Sequence, residues 1–225
     1  MLENGNTSIL IIKVSIYDMI TKKSQLAILL SKLQAFENPK IEFEQYPLDG
    51  ESASAILWQA FQNKHIENKI IADLGCGTGI LGLGALLLRA KKVYFIDKSE
   101  AAIRKAKQNL HFLEQETNEH LQDKATWLIG DVSLFKNKVR TVLQNPPFGT
   151  KKEHIDRIFL EKALEIGKYI YSIHKTSTLD YLRQFIAKKK RKILSEIQLE
   201  MQLKKTMPWH KHEVHRIDTT CIIAE

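Results

Sequence analysis

Seven residues, Asp73-Leu74-Gly75-Cys76-Gly77-Thr78-Gly79, limit what this chain can fold into more than any others. They stand between a short apolar run over 69–74 and a helical pattern over 80–90. Glycines at 75, 77 and 79 permit a tight turn and a close approach of ligand to backbone. The helix that follows offers unpaired backbone N–H groups at its start. Such a turn belongs to a strand–turn–helix unit, and the flanking sequence repeats that alternation. Strands are expected at 93–96, 125–129, 139–143 and 169–173, and helices at 99–115, 154–166 and 179–190. Two helices, over 20–37 and 54–62, come before the turn. Strands alternating with helices imply an α/β fold with a parallel sheet and right-handed crossovers. The tail, 192–203 and 214–224, reads as two strands around a loop at Pro208 with no helix between them. That pairing is expected to be an antiparallel hairpin at one edge.

With 225 residues the chain fits one domain, expected over 19–225. Residues 1–18 read differently and are treated as an N-terminal extension, with Met19 as the candidate natural start. The net charge of +8 favours a polyanionic partner, nucleic acid ahead of an anionic membrane surface. The apolar run 9–16 is broken by Lys13 and is too short to span a bilayer, so no membrane role is expected. Cys76 and Cys221 are far apart and lack metal-type spacing, which suits reduced thiols in a cytoplasmic protein.

Two cofactors fit the glycine turn. Gly77 to Gly82 satisfies a dinucleotide pattern, with Asp97 about 20 residues on to take the ribose hydroxyls. Asp73 separates the candidates. A carboxylate beside the turn repels a pyrophosphate and tolerates the sulfonium and ammonium of S-adenosylmethionine. Asp131, in Gly130-Asp131-Val132 after the third strand, can accept from the cofactor's adenine amine while Val132 offers a backbone contact. A solvated loop aspartate is the alternative there.

After the fourth strand comes Asn145-Pro146-Pro147-Phe148. The prolines fix φ and remove two donors, so the loop is stiff and rich in acceptors. An aromatic amine is a poor nucleophile because its lone pair is delocalised into the ring. The Asn145 side-chain oxygen and the Pro146 carbonyl can hold its two hydrogens, freeing the lone pair for attack on an activated methyl group. Phe148 can stack on the base. Catalysis then comes from positioning and from hydrogen bonds that strengthen as positive charge develops.

These residues resemble the archaeal and eukaryotic methyltransferase-like family that includes small-subunit rRNA adenine-N6 methyltransferases. The resemblance runs from about residue 20 to the C-terminus. It rests on Phe43-Glu44-Gln45-Tyr46-Pro47, on 73–79, on Asn145 to Thr150, and on Tyr171-Ser172-Ile173-His174-Lys175. It implies a seven-stranded, Rossmann-like class I methyltransferase fold acting on structured rRNA. It also implies cofactor contacts at Gln45, Tyr46, Leu48, Gly75, Thr78, Ile80, Asp97, Asp131 and Val132. The family usually has Thr where Leu48 stands, so only a backbone or apolar contact carries over. Eukaryotic members work with a small zinc-binding activator protein that covers an apolar sheet edge, which makes such a protein a candidate partner.

Lys151 and Lys152 follow the reactive loop and are candidate RNA contacts, as are His174 and Lys175 at the end of the fifth strand. A structural histidine is the competing reading of His174. The run 188–192 (Lys-Lys-Lys-Arg-Lys) suits RNA phosphates or simple compensation of a helix dipole. His210, His212 and His215 lack a completing ligand set, so no metal is expected. The leading expectation is an S-adenosylmethionine-dependent methyltransferase acting on adenine N6 in RNA. Methylation of a protein glutamine amide is the alternative within enzymes. Phe148 argues against it, because tyrosine is usual in that group, as does the lack of an N-terminal bundle. A non-catalytic RNA-binding protein of the same fold is the reading from another class.

Overall fold

The computed structural model describes residues 20–35, 48–148, 155–204 and 214–225. A seven-stranded sheet forms its centre, in the order β3-β2-β1-β4-β5-β7-β6. The strands are β1 (Ile70–Leu74), β2 (Lys92–Asp97), β3 (Ala125–Ile129), β4 (Val139–Gln144), β5 (Gly167–Lys175), β6 (Ile193–Lys204) and β7 (Val214–Ala224). The first five pair in parallel. β7 slots antiparallel between β5 and β6, so the hairpin forms one edge and β3 the other.

Six helices of four residues or more cover the sheet among the described residues. α1 (Lys23–Ser31), α2 (Gly50–Gln62), α3 (Ile80–Leu87) and α4 (Glu100–Thr117) pack on one face. α5 (Ile155–Ile166) and α6 (Leu179–Lys188) pack on the other. Local chemistry sets several boundaries. Asp49 caps α2 by accepting from the Ser52 N–H at 2.8 Å and the Ser52 hydroxyl at 2.9 Å. That cap draws Gly50 and Ser52 into a helix whose apolar pattern starts only at Ser54. Gly50 is needed for contact as well, since a Cβ there would lie 2.3 Å from the Ser31 hydroxyl of α1. Ser99 caps α4, and Asn118 ends it in the left-handed region.

β3 and β4 are joined by a single 3-10 turn, Val132–Leu134, and not by a full helix. Leu134 is left 73% exposed beside an edge strand whose Leu128 and Ile129 are 37% and 59% exposed. The segment 1–18 lies outside the described residues. Among the described residues, no helix is long and apolar enough to cross a membrane.

Candidate active site

Parallel pairing brings the ends of β1 to β5 to one edge of the sheet. Leu74 pairs with Ile96 on one side and with Gln144 on the other. Asp97 pairs with Ile129, and Gln144 with Ser172. The glycine turn, Asp97, Gly130 to Val132, Asn145 to Phe148 and Lys175 therefore share one rim. The strand order reverses between β1 and β4, where an open α/β sheet leaves a crevice for ligands.

The glycine turn is built as its spacing requires. Gly75, Gly77 and Gly79 have φ of 66°, 55° and 90°, a region open to glycine at little cost. Gly79 forms the N-cap of α3. Asp97 ends β2 and accepts from the Gly77 N–H at 2.9 Å through one oxygen and from the Ser99 N–H at 2.8 Å through the other. Each oxygen keeps a further acceptor position for a ribose hydroxyl. Burial raises the Asp97 carboxyl above the usual carboxylate range. The half-buried Thr78 and Ile80 complete the turn. Asp131 is exposed and accepts from the Ser133 N–H at 2.9 Å, capping the 3-10 turn. Val132 is buried in the core, so its backbone is what a ligand would meet. The residues present thus fit an adenosyl cofactor, with a carboxylate that has acceptor positions to spare and a backbone cradle beside it.

Several expectations need correcting. The Asp73 side chain is turned into the core. It is 1% exposed and accepts from the Gly82 N–H at 2.8 Å, so it fastens α3 to β1. Burial pushes its carboxyl up to about 7, opposed by the Gly82 hydrogen bond and assisted by nearby Asp97. Gly82 is equally structural, since a Cβ there would lie 2.3 Å from the Phe95 ring. The Leu48 side chain is in the core, so it offers a ligand only backbone. Phe148 is 8% exposed and packed into the same core, with the Lys175 ammonium 5.6 Å from its ring centroid. His174 is buried too, which takes it away from any RNA outside. Gln45, Tyr46, Lys151, Lys152, His210 and His212 lie outside the described residues, as does the side chain of His215.

His174 instead ends a buried hydrogen-bonded chain behind the reactive loop. Gln144 Nε2 donates to Ser172 Oγ at 2.7 Å, and Ser172 Oγ lies 2.6 Å from His174 Nε2. Burial pushes the His174 imidazole down to about 3, so the ring is neutral and its Nε2 can accept from the serine hydroxyl. The chain holds the residue immediately before Asn145 to β5. Asn109 of α4 was also missed in the sequence. It is 1% exposed and donates to the carbonyls of Thr78 at 2.9 Å and Gln34 at 3.0 Å, tying the turn to the N-terminal segment. Its signal was a polar residue among the apolar positions 103, 106, 110 and 113.

The buried titratable groups set an acid limit. His65 is pushed down to about 4, first by burial and then by Arg140, and His174 to about 3. Each histidine takes up a proton on unfolding between its folded value and 6.5, so stability rises with pH across that window. Asp73 does the reverse, binding its proton in the folded state between 3.8 and about 7. Between about pH 4 and 6.5 the two histidines are opposed by Asp73 and by Asp97, whose carboxyl burial also raises. Acidification is therefore expected to cost less than about 1.4 kcal/mol per pH unit, the value for one net proton. Urea unfolding at pH 6.5 and pH 5 checks this, and higher stability at pH 5 would contradict it.

A 3-2-1-4-5-7-6 sheet with this glycine turn, a carboxylate ending β2 and an Asn-Pro-Pro-Phe loop ending β4 defines a class I methyltransferase that uses S-adenosylmethionine. The family model "Methyltransferase small domain" matches residues 43–167, and the chain belongs to that family. The rRNA N(6)-adenosine-methyltransferase METTL5 of Danio rerio is 35% identical over 84% of this chain and 92% of its own. The uncharacterised protein MJ0284 of Methanocaldococcus jannaschii is 38% identical, over 87% and 90%. Among solved structures, PH1948 of Pyrococcus horikoshii, provisionally assigned as an RNA methyltransferase, superposes with a TM-score of 0.82. It is 37% identical and the match covers 92% of this chain and 98% of that one.

Proposed function

We propose that this methyltransferase acts on the N6 amine of an adenine in RNA, and that the RNA is small-subunit rRNA in the cytoplasm. The observation that carries the reading is the Asn145-Pro146-Pro147-Phe148 loop at the end of β4, on the same rim as Asp97 and the glycine turn. The kinship with METTL5 supports adenosine in rRNA as the substrate. The net charge of +8 suits an RNA partner.

When bound, the cofactor supplies a methyl group activated on a sulfonium. The chain's own residues orient the acceptor. The Asn145 oxygen and the Pro146 carbonyl take the two amine hydrogens, which lets the nitrogen become tetrahedral and turn its lone pair toward the methyl. Positive charge develops on that nitrogen during attack, and both acceptors then bind more strongly. The Gln144–Ser172–His174 chain holds the base of the loop, so the acceptors need little reorganisation.

Mass spectrometry of rRNA nucleosides from cells with and without the gene tests the reading. Loss of one N6-methyladenosine is expected, and an unchanged rRNA profile would sink it.

The exposed apolar side chains at the β3 edge support a protein partner of the small zinc-binding activator type. Ile129→Asp with Leu134→Asp is expected to abolish co-purification with such a protein while cofactor affinity is kept. Undiminished co-purification would remove the β3 edge as its seat.

A further inference from the structure

α5 and α6 lie side by side on the face opposite α1 to α4, and the surface between them is not closed. A groove of about 350 Å³ runs there, lined by Arg157, Tyr181, Gln184, Phe185, Lys188 and Lys189. Its floor is Phe185, which is 7% exposed. The Arg157 guanidinium lies 5.2 Å from that ring's centroid and the Lys189 ammonium 5.5 Å. Tyr181 stacks beside it, with centroids 6.3 Å apart and planes at 23°. Tyr181 is nevertheless 45% exposed, so much of its ring faces solvent. Lys189 is paired with Glu161. Arg157 and Lys188 have no carboxylate within ion-pair distance among the described residues.

The groove opens toward the methyl-transfer rim. Arg157 stands in the first turn of α5. Two residues on, the Phe159 ring lies against Gly75 of the cofactor turn, where an added Cβ would come within 2.7 Å of it. Tyr181 stands in the first turn of α6, six residues after Lys175, whose ammonium lies over Phe148. From that end the groove follows α6 to Lys188 and Lys189.

We propose that the α5–α6 groove binds single-stranded RNA flanking the target adenine. One base stacks on Tyr181, while Arg157 and Lys188 hold the adjoining phosphates. Single-stranded RNA offers what this surface is shaped to take, planar faces and regularly spaced negative charge. An acidic peptide matches the cations but leaves Tyr181 without a planar partner. The proposal rests on the RNA reading above and adds to it where the strand leaves the site.

Binding of a labelled single-stranded RNA oligonucleotide, and methylation of an rRNA fragment, test it across 50 to 200 mM salt, roughly the range over which phosphate contacts show. Tyr181→Ala is expected to weaken RNA binding roughly 10-fold and raise the RNA KM equally. Tyr181→Phe, which keeps the ring, should bind like wild type. Arg157→Ala with Lys188→Ala should flatten the salt slope by about 1.4, the value for two single-strand phosphates. kcat at saturating RNA and S-adenosylmethionine affinity should stay near wild type in all three, which separates a binding role from misfolding. Unchanged RNA affinity and salt slope in an active enzyme would overturn the groove alone. Equal losses on blunt duplex RNA would overturn the single-strand occupant, and so would competition by polyglutamate as strong as by RNA. A wild-type protein that neither binds nor methylates RNA would overturn both the groove and the RNA reading.

Discussion

Replacing Asn145 with alanine is expected to slow methyl transfer by roughly 100- to 1,000-fold, the usual loss when one preorganised hydrogen-bonding group is removed from a site where charge develops. Asn145 follows the last residue of β4 and is half-buried, with Pro146 buried behind it. The neighbouring Pro146 carbonyl already takes the other amine hydrogen, so it does not replace the lost acceptor. The residues suited to the cofactor lie on the loops after β1, β2 and β3. S-adenosylmethionine affinity should therefore stay within about twofold, since no uniform binding contact has been removed. kcat and kcat/KM should fall together, because the interaction strengthens only as the amine becomes tetrahedral. Single-turnover rates at saturating cofactor and RNA read the first effect, and calorimetry with the cofactor reads the second. A large loss of cofactor binding with transfer little changed would reverse the assigned roles.

The alternation of strands and helices was legible because each apolar stretch has a clear period and the turns carry their own punctuation. β1 to β5 and α3 to α6 fall within a few residues of where periodicity places them. The early start of α2 was not legible, because it depends on the side chain of Asp49 and not on apolar spacing. Motif reading put Asp97 and Asn145 at strand ends, and strand ends in a parallel sheet converge on one rim. It did not show that the side chains of Asp73 and His174 turn inward, for a common reason. A motif reports which residues are near a site and is silent on which way a side chain turns. At Asp73 the buried Gly82 N–H competes for the carboxylate, and at His174 the Ser172 hydroxyl competes for the ring. A buried donor with no other acceptor costs about 1–3 kcal/mol, enough to turn such side chains inward. The Gln144–Ser172–His174 chain joins neighbouring strands far apart in sequence, so only the β4–β5 register reveals it.

Gly75→Ala is expected to be the most damaging small substitution in the glycine turn. Gly75 has a φ of 66°, and a side chain there costs about 1–2 kcal/mol by itself. The added Cβ would also lie 2.7 Å from Cε1 of Phe159, and overpacking of this kind costs about 1–3 kcal/mol. Together these imply a loss of about 2–5 kcal/mol, or a melting temperature lower by roughly 4–20 °C for a chain of this size. Cofactor affinity should fall as well, because relief of the clash moves either the turn or the start of α5, both of which border the crevice. Gly130→Ala is the control for stability. A Cβ there meets nothing within 4 Å, and its φ is not in the left-handed region. Phe159→Ala introduced with Gly75→Ala separates the two causes. If contact dominates, the pair is more stable than the sum of the single losses predicts. If backbone strain dominates, the losses add. Thermal unfolding of the four proteins measures this coupling, and a Gly75→Ala protein as stable as wild type with undiminished cofactor affinity would mean that the turn tolerates a side chain its geometry should reject.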